Sequence, residues 1–359
     1  MHFSKMGCGN GDNKHVTVFI LTVLCVGVYI YLYVDINSSL QKLEDLERST
    51  YYHLNLILAD HNRPREDKPK LLKPHYVKHT RNGSETQFFL HNYNISGPIL
   101  TIFTSWSKSN ETDLIRNNTV RNWSLFSPYL YPILFTNDTG LKRDVRAMGW
   151  DSLPIIHSGK GVPVLKHMYL DAMKKIESPL YAFVNGDILF TQSLLEILVS
   201  VLHSDLYQNG TVLVVGRRTN VLNVKRKTAS SFQDLANVSV KIGSLFTPWG
   251  LDYFITSKTF PWRDMPDVVI GRVGYDNFLV VESNKRKIAV IDATKTLLAV
   301  HQTTKKGGNF ESRKKLNKDY NINLIAKIYK KINYGMGTSN AAKYFTKYNS
   351  KSQVYIVKK

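Results

Sequence analysis

The sequence predicts an α/β fold, a mixed and mainly parallel sheet flanked by helices, on three observations. From about residue 97 onward, short apolar runs alternate with amphipathic helical stretches, the pattern of a parallel-rich sheet. One run, Leu180 to Val184, is apolar on both faces of its pleat, as a strand covered on both sides must be. It stops at Asn185-Gly186-Asp187, which sets a carboxylate at the carboxyl end of a buried strand, where open α/β sheets collect their ligands.

Each element follows from its own pattern. Pro98 to Thr104 reads as a strand, Arg116 to Leu125 as a helix and Tyr131 to Thr136 as a second strand. Val164, Leu165, Met168, Tyr169, Ala172, Met173 and Ile176 form one stripe at helical spacing, opened by Gly161-Val-Pro163. After the Leu180 to Val184 strand, Leu194, Leu195, Ile197, Leu198, Val201 and Leu202 predict a helix, and Thr211 to Gly216 a strand. Asp252 to Thr256 and Ile288 to Ile291 read as further strands, with a short helix from Tyr275 to Val281 between them.

The organisation before residue 97 is different. Val16 to Val34 carries no charge over nineteen residues, enough to cross a bilayer core of about 30 Å at about 1.5 Å per residue. Tyr29, Tyr31 and Tyr33 suggest an interfacial aromatic belt, and no Ala-x-Ala cleavage pattern follows, so the segment reads as an uncleaved anchor. The expected division is a cytosolic tail (1–15), a transmembrane anchor (16–34), a stem (35–96) punctuated by Pro64, Pro69 and Pro74, an α/β domain (97–302) and a basic C-terminal extension (303–359). Lys and Arg flank the anchor evenly. Sequons at Asn37, Asn82, Asn94, Asn110, Asn117, Asn122, Asn137, Asn209 and Asn237 all follow it, which orients the chain as a type II protein with its body in the Golgi or ER lumen. Cys8 and Cys25 are the only cysteines, so that body forms no disulfide and depends on its core.

The net charge of +20 is uneven, with fourteen Lys or Arg against two acids after Gln302. Such a face suits an acidic glycan or anionic membrane; a lumenal address excludes nucleic acid as a partner. Gly159-Lys160-Gly161 lacks the spacing of a phosphate loop, which excludes a P-loop ATPase.

Three groups besides Asp187 carry candidate chemistry. Asp276-Asn277 stands at a helix start after Gly271-Arg272-Val-Gly274, and His301-Gln302 ends the apolar run Leu297 to Val300. A carboxylate and an imidazole reaching one cavity suit a divalent cation such as Mn2+ or Mg2+, with diphosphate oxygens completing its shell. Arg217, Arg218 and Arg272 follow or precede these elements and are candidate diphosphate holders.

Taken together, Gly97 to Thr104, Tyr181 to Phe190, Trp249 to Ile255, Gly271 to Leu279 and Ile291-Asp-Ala-Thr294 through His301-Gln302 resemble, in order and spacing, the GT-A-type nucleotide-diphospho-sugar transferases, many of them type II Golgi proteins. The resemblance implies a glycosyltransferase with a nucleotide-sugar donor and a glycan or glycoprotein acceptor. It implies Asp187 as the metal and nucleotide carboxylate of an Asp-x-Asp motif, Asp276 as catalytic base or acceptor contact, His301 as a C-terminal metal ligand, and Asp252 with Arg272 on the donor side. Asn185 stands where the motif has its first aspartate and brings no charge. Inversion and retention of the anomeric centre both remain open. The other reading is a membrane-tethered glycan-binding protein that keeps the fold without the catalysis.

Overall fold

The computed structural model describes residues 98–106, 113–304, 317–329, 332–350 and 353–359. Contacts divide the chain into Met1–His75 and Tyr76–Lys359, and everything described lies in the second unit. The expected tail, anchor and stem lie outside the described residues. Among those described, no helix is long and apolar enough to cross a membrane.

In chain order the strands are β1 (Leu100–Ser105), β2 (Leu130–Phe135), β3 (Asp151–Leu153), β4 (Ser158–Gly159), β5 (Val162–Pro163), β6 (Leu180–Val184), β7 (Ile188–Phe190) and β8 (Val212–Val215). They continue as β9 (Thr219–Leu222), β10 (Ser244–Leu245), β11 (Tyr253–Ser257), β12 (Ala289–Asp292), β13 (Ala299–Thr303), β14 (Tyr344–Tyr348) and β15 (Val354–Lys358). The helices are α1 (Asp113–Ser124), α2 (Thr139–Arg146), α3 (Leu165–Lys175), α4 (Ser193–Leu202), α5 (Asp205–Gln208), α6 (Arg226–Ala229), α7 (Phe232–Ile242), α8 (Tyr275–Lys285) and α9 (Tyr320–Ile328).

Nine strands form one sheet in the order β15-β14-β12-β8-β11-β6-β1-β2-β3. The run β6-β1-β2-β3 is parallel, as is β8-β12-β14, while β11 enters antiparallel between β6 and β8, and β15 closes the far edge antiparallel. The mixed, mainly parallel sheet expected from the sequence is therefore present. A second sheet, β10-β9-β13-β7, continues from the end of β6, and the sequence pattern had not separated it.

The pleat of β6 shows why its residues are apolar throughout. Leu180, Ala182 and Val184 face one core with Val120 and Trp123 of α1 and the buried side of α4. Tyr181 and Phe183 face the other, with Leu165, Met168 and Tyr169 of α3 and Phe278 of α8. On the first side, the Trp106, Trp150 and Trp123 indoles stack in series, with ring centroids 5.8 and 5.0 Å apart. On the second, Tyr169 inserts its hydroxyl between register partners of β6 and β11. It accepts from Phe183 N at 2.9 Å and donates to Phe254 O at 2.6 Å.

Two expectations need correction. The basic stretch after Gln302 is not an extension of the sheet domain: β14 pairs with β12, β15 pairs with β14, and the turn Tyr334–Gly337 packs on α8. Lysines on the exposed pleat positions disguised two strands as a solvated tail. The helix read as ending at Val281 runs to Lys285, because Glu282, buried on α8, accepts from Arg286 Nε at 2.7 Å and covers its last turn. Of the sequons, Asn122 is sealed in the core, its amide donating to Phe190 O and Ala229 O, whereas Asn117, Asn137, Asn209 and Asn237 are exposed.

Replacing Tyr169 by Phe would leave a strand N–H and a strand C=O buried without partners, at about 1–3 kcal/mol for each group. Denaturant unfolding of Tyr169→Phe is expected to show a stability loss of at least about 2 kcal/mol with an unchanged m-value.

Candidate functional site

The site is built where the chain leaves one sheet for the other. β6 ends at Val184, and Asn185-Gly186-Asp187 carries the backbone into β7. Its carbonyls are clamped from two sides. Thr119 Oγ1 and Trp106 Nε1 donate to Gly186 O at 2.9 and 3.1 Å, and the Gln302 backbone N donates to Asp187 O at 3.1 Å. The Gln302 side chain accepts from Asn118 Nδ2 at 2.9 Å and donates to Thr119 Oγ1 at 3.1 Å, tying α1 to β13. Residue 186 must be glycine, since a Cβ there would collide with the Trp106 indole.

Strand register then brings the acids together. β11 runs antiparallel to β6, Tyr253 opposite Val184, and the ladder continues one step as Asn185 N donates to Asp252 O at 2.8 Å. Asp252 is thereby set beside Asn185, whose Nδ2 donates to its Oδ1 at 2.5 Å. Its other oxygen takes Arg218 at 2.8 Å. Arg218 is itself held by Asn220 Oδ1 at 3.1 Å and lies over the Phe246 ring at 4.0 Å, a cation–π contact. Arg218, which the sequence offered only as a candidate, thus reaches the site through Asp252.

On the second sheet, β13 pairs antiparallel with β7, His301 opposite Ile188, which sets the imidazole against Asp187. His301 Nε2 lies 3.1 Å from Asp187 Oδ2, and both side chains are 2% exposed. The two are at ion-pair distance, and neither Nε2 nor either carboxylate oxygen has another hydrogen-bond partner. Thr303 Oγ1 donates to the His301 carbonyl at 3.5 Å and lies 3.1 Å from Nδ1. A carboxylate oxygen and an imidazole nitrogen this close could serve as adjacent ligands of one divalent cation, both being ordinary ligands for Mn2+. Among the described residues, no three His, Cys, Asp or Glu side chains converge on one point, so such an ion would take its remaining ligands from water or substrate oxygens. Asp187, expected at an open crevice, is buried, because β13 covers it.

Asp276 approaches from α8. Gly274 takes a left-handed φ of 94° to start that helix, and a Cβ there would also strike Ile322 at 2.6 Å. Half-buried by exposed area, Asp276 is nevertheless hemmed in closely enough that burial pushes its carboxyl up to about 7. The N–H groups of Asn277 and of Asp276 itself oppose the shift, the charge of Asp252 adds to it, and Arg218 opposes it. The neighbouring Tyr275 gathers the set: its hydroxyl donates to Asn185 Oδ1 at 3.4 Å, and burial, then Asp276, Asp252 and Asp187, raise its pKa. Asp187, Asp252, Asp276 and Asn185 therefore surround one tyrosine, a residue the sequence reading missed although it immediately precedes Asp276. Arg272 does not join them; it turns back to donate to Gly271 O at 2.9 Å.

No family model matches the chain, and no curated protein matches it either. Among solved structures it is similar to a mycobacterial protein at 15% identity, covering 58% of this chain and 66% of that one, with a TM-score of 0.34. It is similar to glucosyl-3-phosphoglycerate synthase from Mycobacterium tuberculosis in complex with Mn2+, uridine-diphosphate-glucose and phosphoglyceric acid at 14%, covering 57% and 72%, with a TM-score of 0.34. A third is CMP:2-keto-3-deoxy-manno-octonic acid synthetase complexed with CTP, at 12%, covering 65% and 100%, with a TM-score of 0.32. Likenesses this partial carry no argument about activity.

The raised Asp276 pKa has a defined sign. Between the ordinary 3.8 and about 7 the folded chain holds a proton the unfolded chain has released, so Asp276 lowers stability as pH rises through that window. Asp276→Asn is expected to gain stability over wild type progressively from pH 4 to pH 7 and to hold that gain above it, as read by thermal melts across the range.

Proposed function

We propose that this protein is a glycosyltransferase that moves a sugar from a nucleotide-diphosphate donor to an acceptor hydroxyl. The observation that carries the reading is the Asp187–His301 pair, a carboxylate oxygen and an imidazole nitrogen, both buried, 3.1 Å apart where the chain leaves β6. A buried carboxylate and imidazole with no further polar partner form a usual ligand pair for a divalent cation.

In this reading Asp187 and His301 hold a divalent cation, Mn2+ or Mg2+. When bound, the ion supplies positive charge against the departing nucleoside diphosphate. Asp276 takes the proton of the acceptor hydroxyl, and a carboxyl at about 7 is matched to that work near neutral pH. Asp252, fixed by Asn185 and Arg218, forms the donor-side wall and restores the negative charge that Asn185 lacks. Tyr275 orients the Asn185 amide by donating to its oxygen.

We also place the body in the Golgi or ER lumen, tethered by the apolar segment 16–34 as a type II protein, with glycans or glycoproteins as acceptors. The exposed asparagines Asn117, Asn137, Asn209 and Asn237 support that address. The competing reading, a glycan-binding protein without catalysis, draws support from the Asn185 amide, which is already engaged by Asp252.

Purified protein assayed against a panel of uridine and guanosine diphosphate sugars, with and without Mn2+, is expected to show transfer or slow donor hydrolysis. Asp187→Asn should lower that activity at least about a hundredfold. Its melting temperature and circular dichroism separate loss of activity from loss of fold, since the substitution also removes the contact to His301. Full activity in Asp187→Asn would refute the assignment, and a wild type that binds heparin but no nucleotide sugar would establish the competing reading.

A further inference from the structure

Trp249 is 51% exposed, and Met336, in the turn whose Gly335 lies by the indole, 59%. An indole is costly to leave in water, and the protein's other indoles are placed conventionally. Trp106, Trp123, Trp150 and Trp262 each donate from Nε1 to a protein oxygen. Among the described residues, Trp249 is the tryptophan whose Nε1 has no protein acceptor.

Its position is fixed rather than loose. Asn277 Nδ2 donates to Trp249 O at 3.4 Å and to Gly337 O at 3.0 Å, and Ser339 N donates to Pro248 O at 3.1 Å. The far edge of the indole, Cη2, lies 4.0 Å from where a Cβ would stand on Gly335, so the ring rests by the Tyr334–Gly337 turn. Asn277 is the residue after Asp276, and Asp252 follows Trp249 by three positions. An exposed aromatic surface is thus anchored through one asparagine to the carboxyl assigned as base.

We propose that Trp249 is the stacking platform for a pyranose ring of the acceptor, with the Tyr334–Gly337 turn at its edge. The proposal rests on the transferase reading above and adds the acceptor's chemical class. A pyranose has one face of C–H groups and an edge of hydroxyls. The first suits an indole, and the second suits a carboxyl such as that of Asp276, the residue before the Asn277 that holds the Trp249 carbonyl. A simple apolar partner would leave Asp276 unmatched, and a simple anion would meet repulsion from it.

The test uses the purified protein and two separate titrations, each followed by tryptophan emission and by calorimetry. One uses the methyl pyranosides of glucose, galactose, mannose and N-acetylglucosamine, and the other uses UDP and GDP with Mn2+. At least one glycoside is expected to bind and shift the emission. Trp249→Ala should weaken that glycoside about tenfold or more, Trp249→Tyr should restore part of the loss, and nucleotide affinity should be unchanged in both. The platform is overturned if no glycoside binds wild type, if Trp249→Ala binds it equally well, or if the loss falls on UDP or GDP, which would make the indole a nucleobase shelf. Binding of neither nucleotide to wild type would instead sink the transferase reading, while the glycoside titration would still decide the platform.

Discussion

The arrangement depends on how the chain is held as it passes from the nine-stranded sheet into the four-stranded one. A peptide at a strand end has carbonyls that the ladder no longer satisfies, and buried carbonyls must find donors. Here Thr119, Trp106 and Gln302 supply them at Gly186 and Asp187. Because the donors come from α1, from the residue after β1 and from β13, the same bonds that satisfy the turn fix three elements around it. The direction of Asp187 is then set by backbone geometry rather than by side-chain freedom.

Charge is concentrated at this turn beyond what the rest of the core tolerates. Asp187, Asp252 and Asp276 all act on Tyr275, while Arg218 is the cation bonded to Asp252. Like charges at short range cannot all ionise freely without compensation. Each acid meets the conflict differently: Asp252 is paired with a guanidinium, Asp276 is raised by burial, and Asp187 lies against an imidazole.

Much of the fold was legible because burial leaves a periodic trace. β6 was bounded to the residue by its unbroken apolar run, and the α3 stripe from Leu165 to Ala172 matched its buried face. The identities of Asp187, Asp252, Asp276 and His301 were also legible, since each acid or imidazole stands at the edge of an apolar segment. What was not legible depended on partners distant in sequence. The engagement of Asp252 by Arg218 follows from β11 pairing with β6 and from the Arg217 to Leu251 bridge, neither of which has a local signature. Arg272 looked equivalent to Arg218 on paper, yet its guanidinium turns to its own neighbour's carbonyl. β14 and β15 were hidden by lysines on their solvent positions, where charge count outweighs alternation.

The stacked series of Trp106, Trp150 and Trp123 has an optical consequence. Indoles with centroids 5.0 and 5.8 Å apart couple their electronic transitions, so the folded core carries a chiral ultraviolet signature that vanishes when the helices separate from the sheet. That signal originates on one side of the sheet, beneath the turn, and it reports the packing of α1 without any added label.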